Sequence, residues 1–430
     1  MNAAKRSQQR PTRPRLRLVR WLSPGVLSAA LLAMAAGFGQ FGAVAALGDV
    51  AKTFGHATSG ASVTEQAGLS GTQLGLGLTV IRLASLGALP LAGLADRFGR
   101  RPTLLTNCAI GLVLTVAAAT SPAYWWFVVL FAVGRPFLSA TTGIAQVVAA
   151  ELTATSDRAK AIALIAAGYS AGAGITAVVH SLASATLGFR GTFGLALVPL
   201  VLLPLIGRHL VEPDRFAIAS AKAAHALPVL GAVAPAFRRR LAIVAALAFA
   251  ISVITGPANS FVFLFADNVV DLPGPATAAM VVGAGAFGLA ALFAGRWLAD
   301  HWGRRPTAAC AMVMLAACGV LMYGAGRPGL VAGYILGITT GAIFAPAAGS
   351  LVNEVFPTSV RASVAGWQTA AGVAGAVTGL LAFGAVVDVS DRFGIAAVVT
   401  FVPPAIAAVL FWFLPETKHR EPEELWPDTP

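Results

Sequence analysis

Two arginines stand where arginine is costly. Arg82 lies in the apolar run 71–93 and Arg135 in the run 124–150, and no Asp or Glu falls inside either. Each is 11 residues into its run (82 − 71 and 135 − 124), roughly 16 Å at ~1.5 Å per residue, which is the middle of a bilayer. A guanidinium facing lipid there costs ~2.5–3.5 kcal/mol, so each is expected to face a wet interior. With no carboxylate at that depth, what remains to satisfy it is backbone carbonyl, water or an anionic ligand. A planar fork of donors suits a carboxylate or phosphate. The other reading is conformational, with Arg135, next to Gly134, tying its helix to neighbouring carbonyls. Further polar candidates sit in apolar surroundings: Gln40 in Gly37-Phe38-Gly39-Gln40-Phe41-Gly42, Asn259 in Thr255-Gly256-Pro257-Ala258-Asn259, and the pair Trp367-Gln368. Each fits either a solute contact or a packing feature, and Pro257 removes a backbone donor and invites a broken helix.

A second set of charges repeats. Leu94-Ala95-Asp96-Arg97-Phe98-Gly99-Arg100-Arg101-Pro102-Thr103 returns as Leu298-Ala299-Asp300-His301-Trp302-Gly303-Arg304-Arg305-Pro306-Thr307, 204 positions on (300 − 96). Glu151 and Arg158 return as Glu354 and Arg361, 203 positions on (354 − 151). The chain is two copies of one unit. Gly134 matches Gly337 at the same offset, but Arg135 follows the first and Ile338 the second. The copies share a scaffold and differ where chemistry is expected.

The elements that must carry these residues follow from composition. At 430 residues, 57% hydrophobic, 11% charged and mean hydropathy +0.78, the chain has too little polar surface for a soluble globule of this size, and reads as an all-α membrane protein. Apolar runs long enough to span hydrocarbon fall at 25–47, 71–93, 103–120, 124–150, 161–187 and 192–211, then at 241–266, 277–298, 307–325, 330–352, 364–387 and 395–414. This gives a basic tail (1–24), a first six-helix bundle (25–211), a linker (212–240), a second bundle (241–414) and a tail (415–430). Lys and Arg crowd the tails, the linker and the repeated loops, while the alternate loops hold only Lys52, Arg190, Arg327 and Arg392. Both termini are therefore expected in the cytoplasm, with the chain crossing the cell membrane twelve times. The +12 charge marks topology beside anionic lipid and calls for no nucleic-acid partner. Cys108, Cys310 and Cys318 lie within spans and suggest neither disulfide nor metal. The outer segment 48–70 reads as a solvated connector, and His180 as a satisfied histidine near the outer end of its span.

The repeated Asp96–Pro102 segment, Glu151 to Arg158 with its repeat, Gly134-Arg135 and Pro415-Glu416-Thr417-Lys418 together resemble the major facilitator superfamily. The resemblance covers the whole chain. It implies twelve transmembrane helices in two pseudo-symmetric six-helix bundles whose rocking alternately opens a central cavity to each side. It also implies a gating charge cluster of Asp96, Arg100, Glu151 and Arg158, with Asp300, Arg304, Glu354 and Arg361 as counterpart, that latches the cytoplasmic face. The chain departs from the family pattern in having Ala92 and Arg296 where Gly precedes the Asp by four, with Gly93 and Gly295 displaced by one. The tail and the Glu354–Arg361 loop look most like the sugar-porter and metabolite:proton symporter branches, although Ser252 and Val253 replace the paired glutamines of the sugar carriers.

The expected function is secondary transport of a small organic solute, by proton-coupled symport with an anionic metabolite favoured, in a monomer. The alternatives are proton-antiport export of drugs or metabolites, which Ile175 after Gly174 disfavours because the Gly-Pro of many antiporters is absent, and a transport-silent receptor. No phosphate-binding Gly-x-x-x-x-Gly-Lys loop and no His-Glu-x-x-His motif occurs, so neither an enzyme nor a cofactor is expected.

Overall fold

The computed structural model describes residues 22–56, 66–154, 157–212, 233–418, 420 and 426. Most of the basic tail, most of the linker and the acidic end of the chain lie outside the described residues. The first half comprises α1 (Pro24–Ala45), α2 (Leu47–Phe54), α3 (Gly71–Ala84) continued by α4 (Ala88–Phe98), α5 (Arg100–Ala119), α6 (Tyr124–Leu152), α7 (Arg158–Gly194) and α8 (Leu197–Arg208). The second half comprises α9 (Pro235–Ser260), α10 (Gly274–His301), α11 (Arg304–Gly324), α12 (Gly326–Val355), α13 (Thr358–Ser390) and α14 (Phe393–Ala405) with a 3₁₀ extension to Phe413. Among the described residues eleven helices are long and apolar enough to cross a membrane, one of them the 49-residue run Lys160–Arg208. That run holds two crossings, because Gly188, at φ 54° and ψ −167°, breaks it and turns the chain back. Twelve crossings result, six in each half.

Local chemistry sets the ends. Ser23 and Ser70 cap α1 and α3, accepting from the backbone N–H of Val26 (3.4 Å) and of Gln73 (3.1 Å). Gly99 and Gly303, at φ 99° and 111°, make the sharp turns into α5 and α11, a conformation closed to other L-residues. The displaced glycine of the second signature still serves close packing: a Cβ on Gly295 would lie 2.6 Å from Ile343 Cα, whereas around Gly93 the space is open.

Among the described residues the halves meet chiefly at one face. At the face away from the repeated loops, the far face, α3 runs against α13 and α7 against α10. A Cβ on Gly75 would fall 2.6 Å from the Leu380 carbonyl oxygen, one on Gly384 would fall 2.2 Å from that of Gly71, and one on Gly274 would fall 1.9 Å from that of Ser181. Glycine at these positions is what lets backbone meet backbone. Phe41 of α1 meets Phe263 edge-on at 5.9 Å, and one apolar core runs through both halves there. A second core, built around Val26, Leu104, Leu138 and Val148 towards the repeated loops, belongs to the first half alone. The molecule is thus closed at the far face and parts towards the loops.

One sequence expectation needs correction. Of the segment 48–70 expected as a solvated connector, 57–65 lie outside the described residues, and the first part belongs to α2, which buries Leu47, Val50 and Ala51. Asn268 of the other half donates to the Gly48 carbonyl at 3.4 Å, so this short helix is part of the seal between halves. His180 lies beneath it, buried, with Nδ1 3.0 Å from Thr192 Oγ1 and Nε2 3.5 Å from Asp49.

Candidate functional site

Below the seal the halves enclose a cavity of about 380 Å³. Arg82, Arg135 and Gln40 of the first half border it, as does Asn259 of the second. No carboxylate among the described residues lines it. Arg135 Nη1 donates to the Gln40 carbonyl at 3.0 Å, and Ser139 Oγ donates to Gln40 Oε1 at 3.3 Å, which fixes α6 against α1. Arg135 Nε is buried with no partner. The Arg82 guanidinium makes no hydrogen bond or ion pair to any described residue; only its carbonyl is used, accepting from Ser85 Oγ.

The cavity is lopsided in the way the repeat foretells. Arg135 and Ile338, the residues after the matched glycines, both face it. The second half contributes Val281, Ala284, Tyr334 and Ile338, an apolar wall with one phenol, opposite the cationic wall of the first half. Tyr169 adds a second phenol. Gly174 and Gly285 also face it, and a Cβ at either would meet open space.

The other candidates fall elsewhere. Gln368 borders a separate cavity of about 250 Å³ between α9, α12 and α13. Trp367 is 43% exposed and borders none of these cavities. The paired charges at the loops lie within each half: Arg100 Nη2 to Glu151 at 3.2 Å and Arg304 Nη2 to Glu354 at 2.9 Å. Arg158 and Arg361 donate to the carbonyls of Ala150 (3.2 Å) and Phe356 (2.9 Å). Asp300 sits 3.9 Å from Arg296 on the surface, and the Asp96 side chain lies outside the described residues.

Two carboxylates outside the expected gating cluster complete the loops, one at each. Glu212 accepts from the backbone N–H of Arg100 (2.6 Å) and Arg101 (2.8 Å). Glu416 does the same for Arg304 (3.0 Å) and Arg305 (3.1 Å). Each caps the N-terminus of a helix whose turn glycine has no side chain to do so. Losing one such carboxylate, as in Glu416→Ala, is expected to cost about 1 kcal/mol, read as a lower melting temperature of the purified protein with ligand binding retained. A melting temperature equal to that of the parent would show that the cap is dispensable.

The sequence profile of the Major Facilitator Superfamily matches residues 29–297 and again 274–428. The chain belongs to the Major Facilitator Superfamily. As a member, it is 24% identical over 366 residues to a "probable 4-methylmuconolactone transporter" of Cupriavidus pinatubonensis, covering 82% of this chain and 83% of that one. It is 28% identical over 160 residues to a D-xylose transporter of Levilactobacillus brevis, 37% of this chain and 35% of that one. Its fold matches the inward-open conformation of the xylose transporter XylE from E. coli with TM-score 0.74 at 18% identity, over 94% of this chain and 99% of that one. The central cavity of this superfamily member lies between its two halves.

Proposed function

We propose that this transporter carries a small organic anion, taken up with protons by alternating access through the cavity between its halves. The observation that carries the reading is the Arg82 guanidinium, which fronts the cavity beside Arg135 without a hydrogen-bonding or ion-pairing partner among the described residues, where no lining residue is acidic. A half-buried cation without a protein partner is costly, and an anionic solute is a partner that relieves it. The 4-methylmuconolactone named for the relative is a small ring bearing a carboxylate, which suits a cationic wall facing an apolar one.

The face carrying the repeated loops is assigned to the cytoplasm. Among the described residues Arg97, Arg100, Arg101, Arg158, Lys160, Arg208, Arg238, Arg239, Arg240, Arg304, Arg305, Arg361 and Lys418 lie at or beside it, against Lys52, Arg190, Arg327 and Arg392 at the other. The cavity is then open inwards, and the charge pairs at the loops would gather as that face closes. Proton coupling has an energetic rationale. A membrane potential, negative inside, opposes entry of each negative charge by ~2.3 kcal/mol per 100 mV, and a co-transported proton cancels that term. In proteoliposomes, an inwardly directed proton gradient is expected to drive accumulation of labelled 4-methylmuconolactone or a comparable carboxylate. Accumulation under an outward gradient instead would make the protein an exporter, and indifference to any carboxylate would remove the anion reading.

A further inference from the structure

Beside the central cavity lies a smaller one of about 260 Å³ between α3, α9 and α13. Arg82 and Asn259 border both, so the two cavities adjoin at these residues. The two lobes differ in character. The central one is largely apolar, whereas Ser85, Ser252, Thr255, Asn259 and Thr369 line the smaller.

What those groups offer a ligand depends on where their own hydrogens go. Ser85 Oγ donates to the Arg82 carbonyl. Thr255 Oγ1 donates to Ile251 O at 2.9 Å, and Thr369 Oγ1 to Ala365 O at 2.8 Å. Each of these hydroxyls has one hydrogen, already committed to its own helix, and so presents lone pairs to the cavity. Asn259 uses one amide hydrogen on Thr255 O at 3.0 Å and keeps its Oδ1 free to accept. Only Ser252, which has no partner among the described residues, and the second amide hydrogen of Asn259 remain as neutral donors. A Cβ on Gly372 would come within 3.2 Å of Ser252 Oγ, so the absence of a side chain there keeps that hydroxyl accessible.

The lobe is therefore rich in acceptors beside one cation. Hydroxyls packed against helix carbonyls are common in membrane helices and alone would signify packing. Converging with an unpaired guanidinium on one cavity, they match a ligand that brings a carboxylate for the cation and hydroxyl hydrogens for the acceptors. A bare alkyl acid would desolvate those acceptors without repaying them, and a neutral polyol would leave Arg82 unpaired.

We propose that the lobe framed by Arg82, Thr255, Asn259 and Thr369 is a hydroxyl-reading subsite and that the substrate is a hydroxylated organic acid. This rests on the anion reading of the Arg82–Arg135 cavity and narrows it.

The test is equilibrium binding to the purified full-length protein with three probes: gluconate, charged and hydroxylated; hexanoate, charged and bare; and xylose, hydroxylated and neutral. Gluconate is expected to bind at least about tenfold more tightly than either of the others, and Thr369→Val, which keeps the side-chain shape, should weaken gluconate about fivefold and leave hexanoate unchanged. Hexanoate equal to gluconate, with both lost in Arg82→Gln, overturns the subsite and leaves the anion reading standing. Xylose equal to gluconate overturns the anion reading and the subsite with it, and no binding of any of the three overturns the subsite and leaves the anion reading to the transport assay with 4-methylmuconolactone. The comparison of probes on the parent protein decides the matter even if the variant fails to fold.

Discussion

Arg82→Gln is expected to abolish anion uptake while making the ligand-free protein no less stable, and that combination separates a ligand-binding arginine from a structural one. The guanidinium has no hydrogen-bonding partner among the described residues, so Gln removes a half-buried charge that no described side chain or carbonyl repays. Binding loses its charge-assisted partner, a change worth ~2–5 kcal/mol where the pair is desolvated, or about 30-fold to several thousand-fold in affinity. Arg135→Gln is expected to lose uptake as well, but to lower the melting temperature, because Arg135 also ties α6 to the Gln40 carbonyl of α1. Lys at either position should rescue only partly, since a point charge lacks the two-toothed geometry. Binding is read by ligand-induced thermal stabilisation, which grows with ligand concentration for a protein that binds it. Normal uptake in Arg82→Gln, or a cationic substrate, would sink the assignment.

These arginines were legible in the sequence because an uncompensated charge in an apolar run is a thermodynamic anomaly that needs no third dimension to notice. The repeat was legible for a similar reason: turns carrying Gly99 and Gly303 demand the same residues in both halves, and the asymmetry between Arg135 and Ile338 already marked the two walls of the cavity. Tyr169, Thr255 and Thr369 were not legible. Hydroxyls are ordinary in membrane helices, and which of them face a cavity depends on the rotation and crossing of helices far apart in sequence. Trp367 illustrates the converse, since its neighbour Gln368 borders a cavity and it does not. Glu212 and Glu416 carried a signal that could have been used, for they lie 204 apart (416 − 212), the same offset as Asp96 and Asp300. Asp388 carried none, because the Gly71 and Thr72 groups that it meets across the halves are backbone amides, and amides leave no mark on a sequence.

Asp388 is where the second large effect is expected. Its carboxylate, near the end of α13, accepts from the backbone N–H of Gly71 at 2.6 Å and of Thr72 at 2.8 Å, the first turn of α3 in the other half. Those amides have no partner within their own helix and carry the positive end of its dipole. The carboxylate therefore links the halves at the far face, while the Arg100–Glu151 and Arg304–Glu354 pairs each lie within one half. Opening the far face breaks the Asp388 bonds and hands both groups to water, so their net worth is about 1–2 kcal/mol. Asp388→Ala should then raise the population open at that face by about tenfold, at ~1.4 kcal/mol per factor of ten. Gly75→Val should act in the same direction by a different route, since a Cβ there would lie 2.6 Å from the Leu380 carbonyl oxygen and the helices could not close. Spin labels on Lys52 and Arg392 would report a longer distance across the far face in both variants, and labels on Arg97 and Trp302 a shorter one across the loops. The two shifts must be opposite in sign if the halves rock as rigid bodies. Distances unchanged in Asp388→Ala but altered in Gly75→Val would leave glycine packing as the lock and reduce Asp388 to a helix cap.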